Sequence, residues 1–526
     1  MSKKYDVIAI GSGHNGLTAA AYFAKAGKKV LVLEKRSHFG GGVVTRQITE
    51  PGFHHDEHSV AHIFIQANPL LANDELGLLS RHGLKYLKPD VPFISIFTDG
   101  TSIAMTQDIE RNRAEIAKFS QRDADAFMRL SELSDRMLPM LLSSLFTPPV
   151  PVGPMMAMLD QSPEGREVYM LMQRSVYEIV TEWFENEKVR LHFIKMVTEN
   201  LAMPDEMGTG IGLIMFVGFI QRYGVGVAVG GSGQLTQALV RCIESHGGEL
   251  KADTVVEKVL VKNGRAVGVR TADGEYMAET CVIGALHPHL LHRYIDGLDP
   301  QVDRRARNVK LASFSAFVVH AALNEPLKFR CDDRRAERSW LTELLPTSLN
   351  ALRKSFDQLK YGEFPDTPLF GAGSHSVVDP TRAPAGKATM YFFSYAPYHL
   401  ANGGAAQWDG IRESYCERLL RHLDRFVSNL DSGNIIKTVP RSPLDMERDS
   451  DSFQQGDIHG AAPFLYQFGS HRPTPDLGNY TVPGVERLYL VGPFQHPGGG
   501  VFGAGRATAM KAFDQLGMDF DKVVSR

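Results

Sequence analysis

The glycine-rich segment near the start of the chain constrains the fold more than any other feature. Residues 5–34 read YDVIAIGSGHNGLTAAAYFAKAGKKVLVLE, in which a short apolar run, a GxGxxG turn, an alanine-rich stretch and a second apolar run follow one another. Both apolar runs are continuous, as in parallel strands that are buried on two faces. This order predicts a strand–helix–strand unit of the Rossmann type, which binds a dinucleotide.

Each glycine of the turn has a separate predicted task. Gly11 allows the tight turn, Gly13 lets the backbone approach a pyrophosphate, and Gly16 lets the helix pack closely on the strand. The helix N-terminus would then hold the pyrophosphate. Glu34, at the end of the second run, is expected to accept hydrogen bonds from a ribose, which disfavours a cofactor with a 2′-phosphate.

A second glycine run, 40–42, follows shortly after Glu34. We expect this loop to pass close to the same pyrophosphate, which favours FAD over a nicotinamide cofactor bound alone. The contacts predicted for FAD in this part of the chain are Gly11, Ser12, Gly13, Asn15, Gly16, Glu34, Lys35, Gly41 and Gly42.

Charge and cysteine content exclude several other classes of protein. The formal net charge is −3, from 57 basic and 60 acidic residues, which gives no reason to expect a nucleic-acid partner. The four cysteines lie far apart without a CxxC motif, so we expect isolated thiols and no metal site. No signal peptide or membrane span is expected, which favours a cytoplasmic protein. The apolar run 137–159 leaves a peripheral membrane contact open, and the oligomeric state is not predicted.

The rest of the chain is expected to alternate between two domains. Alternating apolar residues around Asp99-Gly100 predict a hairpin, and Asn263-Gly264 and Asp273-Gly274 predict the turns of a β-meander. A helix is predicted over 231–246, and a separate buried strand at Val282-Ile283. The predicted FAD-binding domain comprises residues 1–70, 229–292 and 476–526, and a mixed α+β substrate domain comprises residues 71–228, with a methionine-rich helical insertion, and residues 293–475.

The glycine loops at both ends of the chain resemble those of the phytoene desaturase and carotenoid isomerase flavoproteins, within the wider amine-oxidase-like FAD superfamily. The closest resemblance is to the phytoene dehydrogenase-related proteins. The resemblance covers nearly the whole chain, and the order of its motifs is specific. It is carried by Gly11, Gly13, His14, Asn15, Gly16, Glu34, the run 40–42, GDIHG at 456–460, RPTPDLGNY at 472–480 and HPGGGVFGAG at 496–505.

This resemblance implies further contacts to FAD. The backbone of Val256 would contact the adenine, and Gly492 would lie near the ribityl chain. Gly500 and Val501 would begin a helix whose amides face the flavin N1–C2=O edge, where a helix N-terminus stabilises the negative charge of the reduced ring. The family activity that is implied is dehydrogenation or desaturation at C–H bonds of an apolar, terpenoid- or carotenoid-like substrate.

Two alternatives share the same fold. One is a redox-neutral isomerase or hydratase that uses FAD as a catalyst, and the other is a non-catalytic flavoprotein that binds a partner or a lipid. Glu57-His58-Ser59 stands where carotenoid desaturases have a Gly-Pro-Thr-like turn, which puts phytoene itself in doubt as the substrate. His58, His62 and His496 lie in the motifs expected beside the flavin, and we predict them as candidate acids or bases. Packing, or a hydrogen bond to the flavin, is the alternative role for each.

Methionine is concentrated in one part of the chain. Of 19 methionines, 12 lie between Met128 and Met215. Methionine is flexible and polarizable, and it lines adaptable apolar cavities. We therefore expect these helices to roof a substrate cavity that has the flavin as one wall; a methionine-rich helical core is the alternative.

Overall fold

The computed structural model of the protein describes residues 3–525. Over this range, strands alternate with helices and form two large sheets and two small two-stranded ones. The strands are β1 (Lys3–Ile10), β2 (Val30–Leu33), β3 (Thr45–Arg46), β4 (His55–Asp56), β5 (Tyr86–Leu87), β6 (Phe93–Phe97), β7 (Ser102–Met105), β8 (Val227–Ala228), β9 (Glu249–Lys251), β10 (Val256–Lys262), β11 (Arg265–Thr271), β12 (Gly274–Gly284), β13 (Ser315–Leu323), β14 (Leu341–Leu345), β15 (Phe370–Gly373), β16 (Ala388–Ala396), β17 (Ile435–Arg441), β18 (Thr481–Val482) and β19 (Val485–Leu490).

The helices fall into three groups: those that pack on the first sheet, a cluster between residues 109 and 223, and those that cover the second sheet. They are α1 (His14–Lys25), α2 (Pro69–Ala72), α3 (Ile109–Ala117), α4 (Gln121–Leu145), α5 (Val152–Asp160), α6 (Pro163–Gln173), α7 (Val176–Trp183), α8 (Glu187–Thr198), α9 (Ile211–Tyr223), α10 (Gly233–Ser245), α11 (Leu291–Tyr294), α12 (Pro300–Arg307), α13 (Leu349–Lys360), α14 (His375–Val378), α15 (Trp408–Leu423), α16 (Pro443–Asp449), α17 (Gly505–Gln515) and α18 (Phe520–Val524).

The first sheet is the predicted Rossmann sheet, and its fold class is confirmed. Its strand order is β10-β11-β19-β12-β1-β2-β9, with β18 paired to β19. β1 lies in the middle and pairs in parallel with both β2 and β12. Val7 and Ala9 pack in the core formed with α1, α10 and α17, whereas Ile8 and Ile10 pack on the opposite face. Burial on two faces explains why the apolar run of β1 is continuous rather than alternating.

The β-meander forms at the predicted turns. Asn263 and Gly264 have φ values of 50° and 71°, and the left-handed conformation at both positions is what a tight hairpin between twisted strands requires. One prediction is wrong: Val282-Ile283 is not a separate strand. It is the inner end of β12, whose outer end pairs with β11 and whose inner end pairs with β19.

The second sheet has the order β17-β13-β16-β15-β14-β6-β7 and contains the predicted hairpin as β6 and β7. Every residue of β16 is buried. Successive side chains of a strand point to opposite faces, so Phe392 packs in the core with Trp408 of α15, while Tyr391 and Phe393 pack in the core of the helical cluster. This alternation directs Tyr391 and Phe393 toward the interior between the sheet and the helices.

Helices α4 to α9 form a layer against that face of the second sheet. The side chain of Ser120 caps α4 by accepting from the backbone N–H of Asp123. Residues 146–151 separate α4 from α5. The sequence predicts that no helix includes the proline-rich segment 147–154, and this is wrong for its last three residues, because α5 begins at Val152 and places Pro154 in its first turn, where a proline is tolerated. Although α4 is 25 residues long, none of the helices across residues 3–525 has the length and apolar composition that a bilayer-crossing segment needs. The four cysteines are free thiols.

Candidate active site

The turn after β1 presents bare backbone to a cavity. Gly11 has φ +85°, and a Cβ atom at Gly16 would lie 2.8 Å from the carbonyl oxygen of Gly11, so both positions require glycine for the fold itself. At Gly13, in contrast, a Cβ atom would meet nothing within 4 Å. Packing inside the protein therefore does not account for the glycine at position 13, whereas a ligand in contact with the backbone there would.

Glu34 follows β2 and holds this turn in place. Its Oε2 atom accepts hydrogen bonds from the backbone N–H and the Oγ hydroxyl of Ser12, at 2.8 and 2.6 Å, and its Oε1 atom accepts from the backbone N–H of Arg36 at 3.0 Å. A carboxylate offers about four acceptor sites, so these three bonds leave capacity for a hydroxyl group of a ligand. Glu34 thus both shapes the site and can bind a ribose there.

The second glycine loop lies directly against the first. Gly13 and Gly40 form an isolated parallel bridge, and a Cβ atom at Gly41 would lie 2.8 Å from the Cα atom of Gly13. A Cβ atom at Gly42 would lie 2.6 Å from the ring of Phe453. The structure therefore brings the two loops together at close range, and side chains at these positions would drive them apart.

The carboxy-terminal glycine loop, 492–503, completes the same region after β19. The prediction that a helix begins at Gly500 and Val501 is wrong, because α17 begins at Gly505. Gly500 and Gly503 have φ values of +95° and +73°, which a right-handed helix cannot accommodate. Gly500 and Val501 therefore present an irregular loop, and not a helix N-terminus, to the cavity.

One cavity of about 330 Å³ joins these loops. Its lining includes the buried Asn15 side chain, whose Oδ1 atom has no hydrogen-bond partner among residues 3–525. An orphaned acceptor beside bare backbone suits a polar ligand. All of the predicted cofactor contacts line this cavity: Gly11, Ser12, Gly13, Asn15, Gly16, Glu34, Lys35, Gly41, Gly42, Val256, Gly492, Gly500 and Val501.

The same cavity has a second, apolar part. We call the part lined by the glycine loops the nucleotide side. The other part, which we call the apolar side, lies against the helical layer and the second sheet. It is lined by Phe64, Phe93, Phe216, Leu341, Tyr391 and Phe393.

His58 lines the cavity and is buried. Its Nε2 atom lies 3.6 Å from Asp449, and its ring packs edge-on against Phe453. Burial lowers the pKa of His58 to about 4, with only partial compensation from the neighbouring carboxylates of Glu57 and Asp449. The ring is therefore neutral near pH 7.

His62 and His496 do not line the cavity, so the structure gives no support to their predicted role as acids or bases. The Nδ1 atom of His62 shares a 2.8 Å hydrogen bond with the hydroxyl group of Tyr86, and the Nε2 atom of His496 donates to the carbonyl oxygen of Ser144 at 2.9 Å. Burial lowers the pKa of His62 to about 3 and that of His496 to about 4. Neither ring lines this cavity or the smaller one beside it.

Two polar residues of the cavity, Glu199 and Asn200, were not predicted from the sequence, and a third, His459, was predicted only as a weaker acid–base candidate than His58, His62 and His496. Glu199 and Asn200 follow α8, and His459 lies in the GDIHG motif; all three line the cavity. The spacing of Lys195 and Glu199, four residues apart on a helix, was an available signal for an ion pair. Nothing in that spacing says that the pair faces a cavity.

The methionine-rich helices contribute less to the site than predicted. A second cavity of about 130 Å³ lies beside the first and shares Phe64 and His459 with it. Met172 and Met215 line this second cavity, whereas no methionine lines the first one, where the sequence predicted them. Others point outward, since Met158, Met170 and Met207 are 54%, 58% and 56% exposed. The methionines of this segment are therefore divided between the lining of the second cavity, the core and the protein surface.

Known proteins resemble the chain in both sequence and fold. A family model described as "NAD(P)-binding Rossmann-like domain" matches residues 10–73. A limonene dehydrogenase subunit of Castellaniella defragrans is 25% identical, with 98% of this chain and 96% of that protein covered. The lycopene-forming phytoene desaturase of Pseudescherichia vulneris is also 25% identical, with 97% and 99% covered.

The fold comparison agrees with these relatives. Cyclohexylamine oxidase from Brevibacterium oxydans superposes with a TM-score of 0.58 at 17% sequence identity, with 98% of this chain and 99% of that chain covered. At this identity the likeness establishes the amine-oxidase-like fold and nothing about the substrate. The chain is accordingly an oxidoreductase with a Rossmann-type nucleotide-binding domain, related along its whole length to the phytoene desaturases.

Proposed function

We propose that this protein is an FAD-dependent oxidoreductase that dehydrogenates a C–H bond of a largely apolar, terpenoid-like substrate. One observation carries the proposal: the nucleotide side and the apolar side belong to a single cavity. A ligand bound along the glycine loops and an apolar molecule against Tyr391 and Phe393 would therefore meet without crossing protein. Two relatives point the same way, since one is named for limonene and the other for phytoene.

FAD fits the residues on the nucleotide side. The backbone at Gly13, Gly41 and Gly42 would hold the pyrophosphate, and Glu34 would hold the adenosine ribose. A carboxylate at that position repels the 2′-phosphate of NADP(H). When bound, the flavin accepts a hydride from a substrate carbon.

The residues of the chain would then orient the substrate and exclude water. The aromatic side chains of the apolar side give a pocket in which a hydrocarbon skeleton loses contact with water. His58 lines the same cavity and is neutral near pH 7 because burial lowers its pKa to about 4. A neutral imidazole has one bare ring nitrogen, so His58 can accept a proton from the substrate or orient it by a hydrogen bond.

The cofactor assignment is tested by identifying what the purified protein carries. We expect yellow protein that releases FAD on acid precipitation, identified by mass, and no fast stoichiometric reduction of the flavin by NADPH. A bound nicotinamide cofactor without FAD would contradict the assignment. Rapid reduction by NADPH would reveal a nicotinamide site that this proposal lacks.

The reaction is tested by adding apolar terpenoids to the oxidised holoenzyme without oxygen. Dehydrogenation bleaches the flavin absorbance in proportion to the product formed. A substrate that is converted with no net bleaching would instead indicate a redox-neutral isomerase or hydratase. Binding without conversion of any compound would favour the non-catalytic flavoprotein.

A further inference from the structure

Polar groups gather at one place on the otherwise apolar side of the cavity. Glu199, Asn200 and His459 line the cavity there, and Asn200 and His459 also line the smaller second cavity. A cavity that binds only a hydrocarbon gains nothing from these groups, because each would lose its hydrogen bonds to water without replacement. Their presence calls for a ligand with matching polarity.

Glu199 is held in place by a buried ion-pair cluster. Its Oε1 atom accepts from the Nζ atom of Lys195 and from the hydroxyl group of Tyr395, the latter at 3.0 Å. Lys195 is only 1% exposed and also contacts Glu343 at 2.8 Å. Burial raises the pKa of Glu343 because it disfavours the charged carboxylate, and the neighbouring ammonium group of Lys195 opposes this shift.

The second carboxylate oxygen of Glu199 is free to bind a ligand. Its Oε2 atom receives no hydrogen bond from residues 3–525, and the Glu199 side chain is 26% exposed. The cavity lined by this residue therefore contains an anionic acceptor that is already oriented by its other oxygen. Charge-assisted hydrogen bonds to such an acceptor are stronger than neutral ones.

The tautomer of His459 adds a second acceptor. Its Nε2 atom lies 3.2 Å from the carbonyl oxygen of Glu199, and since a carbonyl can only accept, Nε2 carries the proton. Burial lowers the pKa of His459, so the ring stays neutral and its Nδ1 atom keeps a free lone pair. The backbone N–H of His459 donates to Asp457 at 2.8 Å, which fixes the loop that carries the ring.

We propose that Glu199 determines substrate specificity, by accepting a hydrogen bond from a hydroxyl or protonated amino group on an otherwise apolar substrate skeleton. The inference rests on the proposed function and narrows its substrate class from hydrocarbons to donor-bearing compounds. His459 supplies a second acceptor, and the Asn200 amide can accept through its oxygen. A pure hydrocarbon leaves all three without partners and binds more weakly.

The test compares three ligands with one carbon skeleton: p-menthane, menthol and menthylamine. Binding to the oxidised holoenzyme is followed by the change in flavin absorbance and by calorimetry. We expect menthol or menthylamine to bind about 10-fold more tightly than p-menthane, as a hydrogen bond to a charged group provides. Preference for the amine alone would identify a cationic substrate, and preference for the alcohol a neutral one.

Substitutions then locate the preference. Glu199→Gln should reduce the preference for menthol or menthylamine over p-menthane by about 10-fold. The affinity for p-menthane itself should not change. Asp205→Asn is the matched control, because Asp205 is an exposed carboxylate paired with Lys360 outside both cavities. If Glu199→Gln does not fold, Asn200→Leu tests the same polar group and should reduce the preference several-fold.

Equal binding of the three ligands, failure of both donor-bearing ligands to bind, or a preference that survives Glu199→Gln and Asn200→Leu would overturn the inference. None of these results would affect the proposed function as long as FAD is bound and an apolar substrate bleaches it. Wild-type protein without FAD would instead remove the proposed function.

Discussion

The two sides of the cavity are built in different ways. The nucleotide side consists mainly of backbone, and its first two loops come from a short stretch of chain between Gly11 and Gly42. The apolar side consists of side chains that arrive from distant elements, such as Phe93 of β6, Phe216 of α9 and Tyr391 of β16. Backbone amides fit any ligand with the same pyrophosphate, whereas side chains distinguish one substrate from another. The first side is therefore suited to any ligand that carries a pyrophosphate, and the second is the part of the cavity that can select one substrate over another.

The largest effect that separates the two sides is expected from Gly13→Val. Its Cβ atom would meet no protein atom but would occupy the space of the pyrophosphate, so the variant should fold and lose FAD completely. Gly410→Val is the control, because a Cβ atom there also meets nothing within 4 Å and the residue is exposed on α15. The FAD content of the purified variants is the measurement. Full occupancy of the Gly13→Val variant by FAD would contradict the assignment of this loop as the pyrophosphate site.

His58→Ala should act on turnover and not on the cofactor. A positioned acid or base contributes about 100-fold or more to a rate, so we expect kcat to fall about 100-fold with FAD still bound. His62→Ala is the comparison, because His62 is equally buried but does not line the cavity. Equal losses of kcat in the two variants would mean that His58 contributes only packing.

Glu34→Gln should weaken FAD binding by about 10-fold, because one hydrogen bond to a charged acceptor is lost and the bonds to Ser12 are weakened. The dissociation constant is measured by adding FAD to the apoprotein. Glu50→Gln is a suitable control, since Glu50 pairs with Lys437 outside the cavity. An unchanged constant for Glu34→Gln would show that the ribose lies elsewhere.

Acid should destabilise the packing of α8 on the second sheet through the buried His192. Burial lowers the pKa of His192, which shares a hydrogen bond with Ser95 in the second sheet, to about 4. In the unfolded chain the value is about 6.5, so the stabilisation is present above pH 6.5 and is lost as the pH falls toward 4. One such group changes the free energy of unfolding by about 1.4 kcal/mol per pH unit.

This pH dependence can be assigned with two variants. His192→Gln should reduce the difference in melting temperature between pH 7 and pH 5, whereas His246→Gln, an exposed position, should not. An identical pH dependence in wild type and His192→Gln would show that His192 is not the group that resists protonation.

The smallest effect is expected from Met215→Trp in the second cavity. A larger side chain there would shorten the space that adjoins the apolar side through Phe216. KM should rise a few-fold for long substrates and little for short ones, because the larger side chain takes up space that only a long substrate would reach. Met158→Trp, at an exposed position, is the matched control. Equal effects on long and short substrates would indicate that the two cavities are not used together.

The nucleotide side could largely be predicted from the sequence, whereas the apolar side could not. The GxGxxG turn and Glu34 were predictable because both belong to one strand–helix–strand unit, in which Glu34 lies only 22 residues from its partner Ser12. The role of Glu199 was not, because its partner Tyr395 lies 196 residues further along the chain. The helix predicted at Gly500 was placed too early in the chain. The positive φ of Gly503 excludes a right-handed helix at that residue, and the sequence alone does not reveal this backbone angle. Local patterns specify turns, whereas the lining of a pocket depends on how distant elements pack.

The loop at 492–503 has a consequence for how the protein is made. It closes a cavity whose first residues are translated almost 500 positions earlier. A ribosome-bound chain that has not yet reached Gly492 lacks one wall of the cavity. A ligand that needs the whole cavity, as we propose for FAD, would therefore stabilise the chain only once this loop has been made, and products that stop before it would lack that protection from proteolysis.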